Sequence, residues 1–215
     1  MKRKKQYRKT PARRIIKPKQ PKIGTYLGLE YESFCELACL YFVEELIKRG
    51  YVYKVERARS YMLCDPIQST HAVHLKRGSR QETQTVMQGV SYTPDFDIYF
   101  TPKALGVFCW ELGSGTKLNK DLLVAQKVIL PTDIYYRACC EVKPDFSRNS
   151  TTPKSMLTMK WLYQKHAIFV NLFRPNRIFE GLFVPDKYRM TERGTPRLLK
   201  FRALRLDDYL KKMKV

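Results

Sequence analysis

Between residues 31 and 49, apolar side chains recur at helical spacing. Phe34, Cys35, Ala38, Phe42 and Leu46 form one stripe, Lys48 and Arg49 fall in the last turn, and Gly50 supplies the stop. At about 100° per residue, Glu36 lies well off that stripe, in line with Leu40, Val43 and Ile47. A carboxylate on a second apolar face needs a reason, because burying its charge without a partner is unfavourable.

Farther along, the period shortens. Residues 51–63, 83–92, 96–100 and 105–112 are rich in β-branched and aromatic side chains and predict strands, with Thr101-Pro102-Lys103 as a hairpin turn. The polar stretch that holds His71 and His74 reads as a loop, and the two histidines would need a third ligand to hold a metal. Residues 113–133 read as a connection with a short helix over 118–128. Residues 134–142 are almost continuously apolar, the pattern of a central strand covered on both faces. A helix over 153–165 begins with Pro153 after Thr152, where proline's missing N–H is harmless, and a strand over 167–173 follows. An edge strand over 178–184, then a short strand and a basic helix over 197–215, complete the reading. This order predicts an α/β fold with a mixed β-sheet flanked by helices.

Composition changes the picture chiefly through charge. With 44% apolar and 13% aromatic residues, a chain of 215 residues can bury one core without disulfides. Against 20 Asp and Glu stand 41 Lys and Arg, a net +21 that favours a polyanionic partner, nucleic acid first. Residues 1–23 hold eleven Lys or Arg and no acid, and the remaining 30 basic residues against 20 acidic ones still leave +10. The expected division is a basic arm over 1–23, a core over 24–175 with an insertion at about 104–133, and a basic extension over 176–215. The arm, with little to bury, is expected to be disordered alone and to contact nucleic acid through Lys2, Arg3, Lys4, Lys5, Arg8, Lys9, Arg13 and Arg14. Arm and extension are also the candidate surfaces for protein assembly partners. Lys160, on the helix over 153–165, is a further candidate phosphate contact.

The six cysteines form no CxxC pair and have no histidine spacing suited to structural zinc. Cys35 and Cys39, one helical turn apart, and Cys139 and Cys140, adjacent in an apolar run, read as small buried hydrophobes, and a reducing cytoplasm is the expected setting. No stretch approaches the roughly 20 apolar residues of a membrane span, and the N-terminus lacks a signal-peptide core, so no membrane partner is expected.

Three residues carry the candidate chemistry. Glu141 and Lys143 alternate with Val142, so on a strand both point to one face while Cys140 and Val142 point to the other. Asp95 opens a second strand behind Pro94, a residue tolerated at strand starts. Phosphodiester hydrolysis needs an activated water, charge neutralisation on the phosphate and help for the leaving oxygen, which hard divalent ions held by carboxylates provide. Asp95 and Glu141 are candidate ligands for Mg2+ or Mn2+, with the carbonyl of Val142 as a further oxygen. Lys143 is the candidate to orient the water or stabilise phosphate charge, and Glu36 to support from the helix. Alone, Glu-x-Lys is commonly an exposed charge pair and Pro-Asp is ordinary turn chemistry. Their order on two strands, behind a helix with an oddly placed Glu in a basic chain, is the sharper signal.

Tyr92-Thr93-Pro94-Asp95-Phe96 followed by Cys140-Glu141-Val142-Lys143-Pro144 resembles the restriction-endonuclease-like PD-(D/E)xK nuclease superfamily. The likeness is greatest to the endonuclease subunit of heteromeric transposases and to small phage nucleases. In those families a helical Glu precedes the motif, as in Glu32-Ser33-Phe34-Cys35-Glu36-Leu37, and a helix and strand follow it, as over 157–173. The resemblance covers about residues 28–173. It implies a restriction-endonuclease-like core and a metal-dependent endonuclease hydrolysing DNA, of phage or mobile-element origin, in a bacterial cytoplasm or associated with a virion. Glu36 is the first choice for the helical carboxylate and Glu32 the second. Asp95 and Glu141 lie 46 residues apart, farther than in many relatives, and Glu111 within that gap lacks a following Lys. The alternative is a nuclease-fold structural component of a virion or connector assembly.

Overall fold

The computed structural model describes residues 23–110, 127–144 and 153–214, and it is an α/β fold built on a mixed four-stranded sheet. The chain enters through a small antiparallel pair, β1 (Gly24–Tyr26) and β2 (Leu29–Tyr31). Helix α1 (Phe34–Lys48) therefore starts after residue 31. Tyr31 is committed to pairing with Gly24, and the Ser33 hydroxyl caps the helix by accepting the Glu36 amide.

The strand expected over 51–63 is two strands, β3 (Val52–Arg57) and β4 (Tyr61–Cys64), which belong to different sheets. Next, β5 (Ile67–Leu75) and β6 (Gly78–Met87) form a long hairpin. Strand β7 (Val90–Tyr92) then returns to pair with β4. Between β6 and β7, Gly89 passes so close to β4 that a Cβ would sit 2.9 Å from the Cys64 carbonyl. The stretch read as a polar loop is thus strand β5. Both faces of the hairpin meet solvent, so hydrophobic alternation gives no signal there. His71 and His74, three apart on a strand, point to opposite faces and cannot share a ligand.

Strand β8 (Phe96–Phe100) enters the central sheet, whose order is β10–β9–β8–β3. Strand β9 (Arg137–Val142) runs antiparallel to β8 and parallel to β10 (Val170–Phe173), and α2 (Pro153–His166) lies between β9 and β10 in sequence. As expected of a central strand, β9 is covered on both faces. Ala138, Cys140 and Val142 join the core that contains Phe42 of α1, whereas Cys139 joins a second core with Met159 and Leu162 of α2. It starts at Arg137 rather than 134, because Ile134 and Tyr135 are exposed and Tyr136 turns with φ 52°. Likewise β10 starts three residues after Ala167, which takes φ 55°.

Three expected strands are absent from where the sequence put them. Over 101–110 the chain makes a 3-10 turn at Pro102–Ala104, then folds back so that the amides of Val107, Phe108 and Cys109 all meet the Ala104 carbonyl at 3.1, 2.9 and 3.2 Å. These apolar residues are buried as a compact turn, not as a strand, and Thr101-Pro102-Lys103 is not a hairpin turn. Residues expected as an edge strand over 178–184 belong largely to α3 (Pro175–Gly181), where Phe179 packs on Phe42 and Phe173. After α4 (Asp186–Arg189), no strand precedes α5 (Leu206–Met213), although the expected C-terminal helix is there. Phe179, Phe183, Tyr188 and Tyr209 complete the core beneath α1.

The arm residues up to 22, Glu111, and residues 118–126 of the expected connecting helix lie outside the described residues, and Val128 is not helical. No disulfide joins any of the six cysteines. Cys39, Cys139 and Cys140 are buried as expected, Cys109 is buried too, Cys35 is half-buried, and Cys64 is exposed on β4. Among the described residues, no helix is long and apolar enough to cross a membrane.

Candidate active site

The register of β8 on β9 fixes the geometry. Phe96 pairs with Cys140 and Asp97 with Cys139 at the start of the ladder, and Asp95, immediately before β8, lies close enough to Glu141 for the two carboxylates to repel. The Asp95 backbone is held from both sides. Its amide donates to the Cys140 carbonyl at 3.0 Å, and its carbonyl accepts the Ala58 amide at 3.3 Å and the Arg57 guanidinium at 3.4 Å. Its side chain accepts the Val142 amide at 2.6 Å.

Like charges close together in a buried site repel. Burial first, then Glu141, raise the Asp95 carboxyl from an ordinary 3.8 to about 7, with Glu36 adding repulsion while the Val142 amide and Lys143 pull the other way. Glu141 is itself only 7% exposed. One of its oxygens meets the Lys143 ammonium at 2.5 Å, and the other accepts the Tyr92 hydroxyl at 3.0 Å. Burial and the neighbouring Glu141 carboxylate push the Tyr92 hydroxyl far up, which keeps it a proton donor.

Glu36 approaches from the first turn of α1. Its Oε2 accepts from Arg57 at 2.9 Å and from the Glu32 amide at 3.2 Å, and its Oε1 accepts the Ser33 hydroxyl at 3.0 Å. This Ser33-x-x-Glu36 cap, together with Arg57, is the reason for a carboxylate on the apolar face. The Glu32 side chain is exposed, and its link to the site is through its backbone amide. Arg57 ties Glu36 to the Asp95 carbonyl, and so joins α1, β3 and β8.

The structure thus brings Asp95, Glu141, Lys143 and Glu36 together at one end of the sheet. Lys160 is exposed on α2, where it lines a mostly apolar cavity with Met156, Met159 and Tyr163. Lys2 to Arg14 lie outside the described residues. Sequence reasoning missed Arg57 and gave Tyr92 no role. The Ser-x-x-Glu spelling would have revealed the cap, but no local signal separates Arg57 from the other basic residues around it.

Among the described residues, no three His, Cys, Asp or Glu side chains are grouped to hold a metal ion; Glu141 is turned to Lys143 and Glu36 to Arg57. The donor chemistry nevertheless fits a hard cation. Two carboxylates, Asp95 and Glu141, lie close enough to repel, and Asp95 is short of the positive charge that would let it ionise at its ordinary pH. Of Val142, the structure engages the amide toward Asp95, and its carbonyl is the candidate further oxygen. Comparison with protein families, characterised proteins and solved structures gives no match to this chain.

Proposed function

We propose that this chain is a metal-dependent endonuclease that hydrolyses DNA phosphodiester bonds, with Asp95, Glu141 and Lys143 as its working residues. The observation that carries the reading is the close Asp95–Glu141 carboxylate pair with Lys143 beside it, in a chain of net charge +21. Mg2+ or Mn2+ held by Asp95, Glu141 and the Val142 carbonyl would supply charge neutralisation and an activated water. To hold the ion, Asp95 would give up its proton and serve as a carboxylate ligand. Lys143 exchanges Glu141 for phosphate, to which its ammonium contributes positive charge. Tyr92 holds the Glu141 carboxylate in orientation, and Arg57 fixes Glu36 against the Asp95 backbone. The arm residues Lys2 to Arg14 and Lys160 add affinity that is independent of sequence.

The order of elements supports the same reading: a helix bearing a carboxylate precedes the motif, and a helix and a parallel strand follow it, as a restriction-endonuclease-like core implies. A phage or mobile-element origin, with action in a bacterial cytoplasm or from a virion, belongs to this proposal. Incubating supercoiled, branched and single-stranded DNA with Mg2+ or Mn2+ tests it. Cleavage of at least one substrate, abolished by Glu141→Gln, is expected; an inactive wild-type protein on all three overturns it.

A second reading is favoured by the pairing of Glu141 with Lys143 and of Glu36 with Arg57, which neutralises both carboxylates within the protein. It is a nuclease fold used structurally in a virion or connector assembly, without catalysis. Isolation as a ring or a stoichiometric particle component, with no Mn2+ heat in calorimetry, would select it.

A further inference from the structure

The β5–β6 hairpin has no place in the core. Its strands are nine and ten residues long, and every side chain is exposed except that of Val73, which is half-buried. At about 3.4 Å per residue the ribbon is about 30 Å long. An isolated two-stranded ribbon is marginal by itself, and one exposed on both faces points to a partner that covers it.

The register divides it into two unlike faces. Gln68 pairs with Thr85, Thr70 with Thr83, Ala72 with Gln81, and His74 with Ser79, all on one face. That face carries amides and hydroxyls and no acid; the Thr70 and Thr83 hydroxyls meet at 3.0 Å. Glu82, the one acidic residue in the hairpin, is on the other face, opposite His71 and 3.6 Å from Arg80. Lys76 and Arg77 form the tip, between Leu75 and Gly78.

We propose that this hairpin is a groove-reading arm, which lays its Gln68, Thr70, Gln81 and Thr83 face into the major groove of duplex DNA with Lys76 and Arg77 of the tip on the flanking phosphates. A two-stranded ribbon fits a groove of about 12 Å, and a length of about 30 Å approaches one helical turn. Glutamine amides match the hydrogen-bonding edge of adenine, and threonine methyls match the methyl of thymine. An acid-free face avoids repulsion from phosphate, and the basic tip supplies attraction. The arm is also short-coupled to the carboxylates. Strand β7, its return limb, ends at Tyr92, whose hydroxyl holds Glu141, and Asp95 follows three residues later. The arm therefore sets where along the duplex the carboxylate pair acts. The inference rests on the DNA reading above for its ligand, but not on catalysis.

Binding of the full-length chain to a labelled duplex of about three helical turns, without divalent metal, tests the arm. Lys76→Ala/Arg77→Ala is expected to weaken binding about tenfold, and to reduce the salt slope by about 2, since each phosphate contact contributes about 0.9. Gln68→Ala/Thr70→Ala/Gln81→Ala/Thr83→Ala is expected to keep that slope but lose preference among duplexes selected from a random pool. All six side chains are exposed, so both variants should melt as the wild type does. Wild-type affinity, slope and preference in both variants would overturn the proposal, as would a wild-type protein that does not bind duplex. Unchanged DNA binding with altered mass by light scattering would also overturn it, assigning the ribbon to pairing between copies. Hairpin-dependent binding by a protein that cuts nothing removes the nuclease reading alone, whereas cleavage and binding indifferent to the hairpin remove the arm alone.

Discussion

Asp95 is held by burial and by Glu141 at about 7, above the ordinary 3.8. Because the folded value lies above the unfolded one, the stability tied to this group is fully present below about pH 4 and is lost as pH rises through 7. Asp95→Asn keeps an oxygen for the Val142 amide but removes the charge near Glu141. Without metal it should raise the melting temperature at pH 8 by about 2–4 °C, on the order of 1 kcal/mol, and leave it unchanged near pH 3. A lower melting point at pH 8 would show that the two carboxylates are not in conflict. The same ionisation predicts that Mn2+ binding at pH 6 releases about one proton, read by calorimetry in buffers of different ionisation enthalpy, and that the release shrinks toward pH 8. Asp95, Glu141 and Lys143 were legible in the sequence because strand alternation alone places Glu141 and Lys143 on one face. Arg57 and Tyr92 were not, since they reach Glu36 and Glu141 only after β3, β7 and β9 have been brought together.

Helix α1 brings Glu36 to this site through its first turn, and its cap joins stability to positioning. Ser33→Ala should destabilise the protein by about 1 kcal/mol in denaturant unfolding, because the Glu36 amide loses its acceptor and Glu36 loses a donor. A null effect would separate the cap from the helix. Helix α3 carries a different expectation. If Phe179 belonged to an edge strand its truncation would be mild, but it is fully buried among Phe42, Phe173 and Tyr188. Phe179→Ala should therefore lose about 3–5 kcal/mol. The misreading has a physical source: Ile178, Phe179, Leu182 and Phe183 make a short apolar cluster that suits either a strand or a buried helix, and periodicity alone does not arbitrate. The opposite condition hid β5 and β6, where no face is buried and no pattern is imposed. The helix over 153–165 and the strand ending at Val142 were read correctly because a start signal or continuous burial marks each.

The folded chain joins a carboxylate pair at the end of its central sheet to an exposed ribbon and a large positive charge. That charge predicts steeply salt-dependent binding to duplex DNA, falling about 10^3-fold or more between about 50 and 200 mM salt if six or more phosphates are neutralised. Flat binding across that range would show that the basic residues serve another partner. Charge and ribbon concern where the protein sits, whereas Lys143 concerns what it does there. The most direct measurement compares single-turnover DNA cleavage with Mn2+ by the wild-type protein and by Lys143→Ala, both first shown to be folded and to bind DNA. A fall of about 10^2-fold or more in the cleavage rate of the variant is predicted. Equal rates, or no cleavage by the wild-type protein, would contradict the account.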